Sequence, residues 1–455
     1  MTSIEIKNLD AQNVMQTYGR FDAAIDHGEG ATLYSPEGKE YIDFTSGIGV
    51  NSIGYGNRKW ADAVAAQAMK LQHISNLYYS EPYAVLAAEL TKRAGMKKVF
   101  FANAGGEANE GMIKLARKYS FDKYGKGRST IITLVQSFHG RTITTLAATG
   151  QEQFHNYFFP FTDGFTHVPA NDIGALKALL SSGTAAAAGG AVSGGSVVSI
   201  DGDVGANGTV GSDGALSIDG TSALQPVFDA AGAEGSIASG GVCAVLVELI
   251  QGEGGVLPLD PSYVKAVADL CAANDVLLLI DEVQTGAGRT GTLFAFQQYG
   301  IEPDVVSFAK GIAGGLPMGG IMAGEKCSAV LTAGTHATTF GGNPVSAAGA
   351  LEVLSQLSDA ELSEVVKKGE YIRSAVENWN LPAVGEVRGK GLMIGISLNG
   401  VVPKEAAQAC VENGLLILIA GTDALRMLPP LIISYSEIDK GLDILKHVLE
   451  NAGSK

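Results

Sequence analysis

Two residues in this sequence put a costly side chain where such a side chain is seldom placed without use. Lys310 follows the apolar run 304–309 and precedes the glycine-rich run 311–317. An ammonium at a buried strand end is unfavourable unless it is paired or its nitrogen is used covalently. Condensation with an aldehyde meets that demand, because the nitrogen becomes part of a conjugated imine. Asp281 closes another apolar run, 276–280. A carboxylate at the carboxyl end of a parallel strand lies where open α/β sheets hold their ligands. Alone, Asp281 reads as a cap or turn residue. Beside Lys310 it reads as the partner of a pyridine nitrogen, keeping the ring protonated so that it accepts electrons. The two are complementary halves of one cofactor site.

An anionic group on such a cofactor needs backbone donors. Residues 100–107, Phe-Phe-Ala-Asn-Ala-Gly-Gly-Glu, read as a strand, a glycine turn and a helix start, which present N–H groups and the positive end of a helix dipole. The turn 338–343, Thr-Thr-Phe-Gly-Gly-Asn, offers hydroxyls and further glycines. Phe138, His139, Gly140 and Arg141 supply a flat ring for stacking and a guanidinium for a carboxylate. Read singly, Phe138 is a core residue and Arg141 a surface one.

The elements around these residues alternate short apolar runs with helical patterns. Strands are expected at 98–102, 129–135, 242–249, 276–280 and 304–309, and helices at 107–119 and 261–274. Repeated strand–helix units with near-continuous apolar strands predict a mostly parallel sheet covered on both faces. After about residue 341 a long helix over 344–357 is followed by helices and mixed short strands. The expected division is an amino-terminal segment, 1–57, packing with a small domain; a large domain, 58–335; and a carboxyl-terminal small α+β domain, 336–455.

A chain of 455 residues with 46% apolar and 17% charged residues can bury a large core. Its net charge of -15 argues against a nucleic-acid or anionic-membrane surface. The first residues lack the apolar core of a signal peptide, and no apolar stretch is long enough to span a bilayer. Cys243, Cys271, Cys327 and Cys410 form no paired motif and read as thiols of a reducing compartment. A cytoplasmic location is expected.

Residues 182–241 break the pattern, with 15 glycines among 60 residues. No Lys or Arg lies between Lys177 and Lys265, and Ser-Ile-Asp-Gly occurs twice, at 199–202 and 217–220. The segment reads either as an acidic surface excursion or as a small hairpin unit pairing 197–200 with 215–218. Asp201, Asp203 and Asn207 lack the spacing and terminal Glu of a calcium loop. No metal site is expected.

The runs NAGGEANE, SFHGRT, VELIQGEGG, LLIDEVQTGAGRTG, SFAKGIAGGLPMGG, TTFGGNP and RGKGLMIGI resemble, in this order, the class III (subgroup II) aminotransferases. Within that family they are most similar to members acting on N-acetylornithine. The likeness runs from about Met15 to the carboxyl terminus, outside the glycine-rich segment. It implies the type I pyridoxal-phosphate fold, a homodimer with active sites at the subunit interface, and pyridoxal 5'-phosphate as cofactor. It also implies a role for each matching residue. Lys310 carries the Schiff base and shuttles protons, and Asp281 pairs with the pyridine nitrogen. Gln284 contacts the ring hydroxyl, Val283 lies on one ring face and Phe138 on the other. Gly105 and Gly106 bind phosphate through backbone N–H groups, and Thr339 reaches it from the other subunit. Arg141 holds the substrate carboxylate remote from the reacting amine. Glu253 and Arg426 form a retractable pair that exposes Arg426 only when glutamate brings a second carboxylate.

The sequence departs from the family at several points. Ala104 stands where Ser is usual and Gly106 where Ala is usual, so one phosphate hydroxyl is missing. Leu249 replaces a Pro, and Tyr55-Gly56-Asn57 stands where His is common. The function implied is transfer of the terminal amino group of N-acetylornithine to 2-oxoglutarate, a step of arginine biosynthesis. Succinylornithine, ornithine and 4-aminobutyrate are the neighbouring donors. An aminomutase or racemase, needing no outside acceptor, and a non-catalytic cofactor-binding protein are the readings of a different class.

Overall fold

The protein is described by a computed structural model over residues 1–181 and 241–452. The hairpin, surface-excursion and calcium readings of the glycine-rich segment fall outside these residues. Seven strands form the central sheet, in the order Lys98–Ala102, Gly319–Ala323, Val305–Phe308, Leu277–Asp281, Val242–Glu248, Thr130–Leu134 and Phe165–Val168. The strands Val242–Glu248 and Leu277–Asp281 are buried along their whole length. Their side chains therefore alternate between two apolar layers. Leu277 and Leu279 pack with Met112, Ile113 and Ala116 of the helix Gly105–Tyr124. Leu278 and Ile280 face the other layer, with Val264 and Val267 of the helix Pro261–Ala273. Coverage on both faces explains why these runs are nearly unbroken in apolar residues.

Leu277–Asp281 runs parallel to both its neighbours, Val305–Phe308 and Val242–Glu248. Thr130–Leu134 is likewise parallel to Phe165–Val168 and Val242–Glu248. Gly319–Ala323, not foreseen as a strand, runs antiparallel between Val305–Phe308 and Lys98–Ala102. The short connection from Phe308 to Gly319 is the reason: a parallel return needs a crossover of about a dozen residues or more. The 3₁₀ turn Lys310–Ala313 fills that connection instead.

The strand Glu40–Asp43 lies parallel to Leu415–Leu416, so the amino-terminal segment is stitched to the carboxyl-terminal part of the chain. A second four-stranded sheet joins Val384–Lys390, Met393–Leu398, Ala424–Met427 and Leu418–Ala420, and carries Arg426. The long helix expected at 344–357 is Pro344–Gln356, with Pro in its first turn and Asn343 accepting from the N–H groups of Val345 and Ser346. It packs on the helices Arg58–Lys70 and Glu81–Ala94 and against the 3₁₀ turn Lys310–Ala313. Among the described residues no helix is long and apolar enough to cross a membrane.

Candidate active site

A cavity of about 620 Å³ opens at the carboxyl ends of the parallel strands. Lys310, Asp281, Gly105, Gly106, Phe138, Val283, Gln284, Arg141 and Glu253 all line it. The same reasoning that puts ligands at this sheet edge places the strand-end residues Asp281 and Glu248 side by side, in register on neighbouring strands.

Lys310 begins the 3₁₀ turn with a φ of 47°, the left-handed region that an L-residue with a Cβ enters at a cost of roughly 1–2 kcal/mol. Its amine makes no hydrogen bond to any described residue. Burial pushes its pKa below the ordinary lysine value, and Arg426 acts in the same direction, while Glu253 and Asp281 oppose it. A neutral amine is the nucleophilic form, so this environment suits attack on an aldehyde.

Asp281 is held by four neighbours, one of them Ser307, whose Oγ donates to Oδ1 at 3.4 Å. Oδ2 accepts from Asn109 Nδ2 at 2.7 Å and lies 2.8 Å from His139 Nδ1, while Oδ1 accepts from the Val283 N–H at 3.0 Å. Burial works against ionisation here, but the contact with His139 and the donors from Val283 and Asn109 outweigh it and hold the carboxyl below its usual value. Asn109 was not singled out in the sequence. Its signal is helical spacing, since it lies one turn beyond Gly105 on the face turned to the cavity.

The helix Gly105–Tyr124 starts two residues earlier than its apolar pattern predicts, which brings Gly105 and Gly106 into its first turn. A Cβ on Gly105 would lie 2.6 Å from Val283 Cγ1, so only glycine fits there. A Cβ on Gly106 would meet Thr142 Cγ2 at 3.6 Å, an ordinary contact that leaves room for alanine. Ala104 is the N-cap and provides no side-chain hydrogen bond. Asn103 instead ties the entry to the helix, donating from its backbone N–H at 2.7 Å and its amide at 2.8 Å to Glu107.

Glu253 and Arg426 form a two-pronged pair, with Nη1 to Oε1 at 2.7 Å and Nη2 to Oε2 at 3.1 Å. Arg426 Nη1 also donates to Gln284 Oε1 at 3.1 Å. Arg426 is 2% exposed and lies behind Glu253 rather than in the cavity wall, whereas Glu253 is 28% exposed. Burial raises the Glu253 pKa, but Arg426 overrides this and the net shift is downward. Arg141 is exposed, with its guanidinium over the rings of Phe154 at 4.0 Å and Phe138 at 5.6 Å. Thr339 is exposed and is not in the cavity wall.

Glu248, part of the run VELIQGEGG, was given no role from sequence, yet it lines the cavity. Its carboxylate accepts the N–H of Phe138 at 2.7 Å and of Gly252 at 3.1 Å, joining the loop of the stacking ring to the turn that carries Glu253. Its position at a strand end, like that of Asp281, was the available signal.

The sequence matches the family Aminotransferase class-III over residues 14–188 and 223–449. It is 46% identical over 450 residues to the acetylornithine aminotransferase of Haemophilus ducreyi, covering 99% of each chain. It is 41% identical over 439 residues to that of Caldanaerobacter subterraneus subsp. tengcongensis, covering 96% of this chain and 97% of the relative. Among solved structures, the ornithine aminotransferase of Toxoplasma gondii superposes with a TM-score of 0.84 at 26% identity, covering 100% of this chain and 96% of the other. The acetylornithine aminotransferase of Elizabethkingia anophelis does so with a TM-score of 0.77 at 27% identity, covering 99% of each.

Proposed function

Because this chain belongs to the class III aminotransferase family, a pyridoxal-phosphate-dependent group, we propose that it moves the terminal amino group of N-acetylornithine to 2-oxoglutarate. The residues present fit that cofactor. An amine without a hydrogen-bond partner, a fixed carboxylate and a glycine cradle that a single Cβ would fill all face one cavity. When bound, the cofactor supplies a pyridinium ring that takes up an electron pair at the reacting carbon and stores the amino group between half-reactions.

The residues of the chain divide the remaining work. Lys310 would hold the cofactor through its aldehyde, and its free amine is the group placed to move a proton to and from the reacting carbon. Asp281 keeps the ring nitrogen protonated, oriented by Asn109 and His139. Gly105 and Gly106 direct N–H groups at the phosphate, and Thr339 completes that site from the second subunit of a homodimer. Val283 and Phe138 would hold the ring between them, and Gln284 would meet its hydroxyl.

The observation that carries the substrate reading is the placement of two arginines, Arg141 open and Arg426 covered by Glu253. A donor with one carboxylate, reacting at its far amine, uses Arg141 alone. Glutamate, reacting at its α-amine, brings a second carboxylate that displaces Glu253 from Arg426. The relatives named for acetylornithine support this donor, and the structural likeness to ornithine aminotransferases makes ornithine the nearest rival. The dimer is supported by exposed Leu77, Tyr78, Tyr79 and Phe340, large apolar side chains that solvent does not favour. A cytoplasmic location accords with four buried free cysteines.

The test is the visible absorption of the holoenzyme with N-acetylornithine and no acceptor. Bleaching of the cofactor band establishes the half-reaction, and ornithine, succinylornithine and 4-aminobutyrate run beside it rank the donors. A cofactor band that none of these amines bleaches would overturn the proposal.

A further inference from the structure

Phe154, which the roles above do not use, touches two residues that they do. Its ring lies 4.0 Å below the Arg141 guanidinium and meets the Phe138 ring edge-on, with centroids 5.8 Å apart at 77°. Among the described residues Arg141 has no hydrogen bond or ion pair, so these two rings are what holds it. A long exposed arginine otherwise samples many rotamers, and binding a carboxylate must suppress them.

The backbone fixes Phe154 relative to Arg141. The 3₁₀ turn Glu152–Phe154 is joined to the loop of Phe138 through Gly150 and Gln151. Gly150 N–H donates to Ser137 O at 3.1 Å and its carbonyl accepts from Gln136 N–H at 2.7 Å. Gln151 Nε2 donates to Ser137 O at 3.2 Å. A Cβ on Gly150 would lie 2.1 Å from Leu134 O, so the two segments approach as closely as only glycine allows. Ring and guanidinium are thus carried by two loops that are tied together by hydrogen bonds.

A guanidinium held against a ring, with no hydrogen bond or ion pair to any described residue, keeps its N–H donors unspent. A carboxylate can then take two of them at once. We propose that Phe154 is a positioning residue that sets preference for donors with a carboxylate remote from the reacting amine, by holding Arg141 ready for it. This rests on the reading of Arg141 as the partner of that carboxylate.

The experiment measures two quantities on the holoenzymes of F154A, F154L, F154Y and R141K. One is the dissociation constant of glutarate by calorimetry; the other is KM and kcat for N-acetylornithine. F154A and F154L are expected to weaken glutarate and raise KM about tenfold, with kcat within about twofold of the parent. F154Y, which keeps the ring face, restores both. If F154L binds glutarate as the parent does, the ring only fills space and the proposal falls. It falls equally if R141K weakens binding while F154A does not. If R141K has no effect, the Arg141 reading itself fails, and the role of Phe154 with it. Should F154A not fold, the contrast between F154L and F154Y decides.

Discussion

On the proposed function, Glu253 covers Arg426 until glutamate brings its second carboxylate, and substituting Glu253 by Ala isolates that step. In the parent, Arg426 gives Glu253 two hydrogen bonds, at 2.7 and 3.1 Å, and is almost fully buried behind it. A glutamate α-carboxylate must break both before it can form its own. A hydrogen bond to a charged group contributes about 1.5–3 kcal/mol. Glu253, 28% exposed, recovers part of that loss by swinging into water. The net cost of opening is therefore close to one such bond, about 1.5–3 kcal/mol. In E253A that cost vanishes for glutamate and nothing changes for a donor that never needs Arg426. The ratio of kcat/KM for N-acetylornithine to that for glutamate should fall about ten- to a hundredfold. Each half-reaction is followed separately by the cofactor absorbance under single-turnover conditions. A second signature accompanies the first. Glu253 raises the pKa of the free Lys310 amine, so in the cofactor-free protein its loss lowers that pKa further, and condensation with an aldehyde sets in at lower pH. An unchanged donor ratio would refute the gating argument, whatever happened to the overall rate.

Three other substitutions test separate parts of the structure. Ala104→Ser restores a hydroxyl at the helix N-cap beside the phosphate cradle; one added bond to a charged group should tighten cofactor binding about tenfold or more. Titration of the cofactor-free protein by fluorescence quenching measures this, and an unaltered affinity would show that the missing hydroxyl is of no consequence. Gly105→Ala drives a methyl to within 2.6 Å of Val283, whose branched side chain has little freedom to retreat; cofactor affinity should fall about five- to hundredfold. The double variant with Val283→Ala recovers most of the loss if the clash is the cause. Asp275 accepts from Tyr119, Lys123 and Tyr124 and pairs with Lys326. Burial opposes its ionisation, but these partners hold its pKa below the ordinary value. A depressed carboxyl stabilises the fold above its unfolded pKa of about 4, and the gain is lost as pH falls further. Asp275→Asn should lower stability about 1–3 kcal/mol at pH 7, with the gap closing below about pH 4. Parallel thermal melts at both pH values check it.

Five of the seven strands of the central sheet could be placed within a residue or two from sequence because burial on both faces demands an unbroken apolar run; the edge strand Phe165–Val168, only partly buried and interrupted by Thr and His, was not foreseen. Gly319–Ala323 escaped because Gly-Gly-Ile-Met-Ala offers neither length nor β-branching, and its direction follows from a short connection rather than from its own residues. Lys310 and Asp281 were legible as charges at strand ends. Glu248 obeys the same rule, but the run around it contains Leu249 and Ile250, so the strand end is blurred. Asn109 and Phe154 are ordinary residues by type. Their meaning comes from contacts over distances in sequence, Asn109 with Asp281 and Phe154 with Arg141, which no local pattern encodes. Arg426 could be matched to a motif, yet its seclusion behind Glu253 belongs to the packing of one sheet against another. Thr339 lies outside the cavity wall, where its residue type is no guide to what it serves.

The position of a carboxylate at the sheet edge does not by itself say what it does. Asp281 and Glu248 stand opposite one another on adjacent strands, both buried and both at the cavity. What separates them is the set of donors around each. Asp281 receives Asn109 and the Val283 N–H and lies against His139, and these outweigh burial and keep it ionised. Glu248 receives two backbone N–H groups, and burial with the nearby Asp281 charge pushes its pKa up to about 7. At neutral pH the sheet edge therefore carries one firm negative charge and a second that is partly neutralised. On the proposed role of Asp281, the firm charge is the one that a pyridinium nitrogen would pair with. Two fixed charges this close would raise each other's pKa. The division also leaves Glu248 as a tie between two loops, since its two N–H partners, Phe138 and Gly252, lie on the loop of Phe138 and on the turn that carries Glu253.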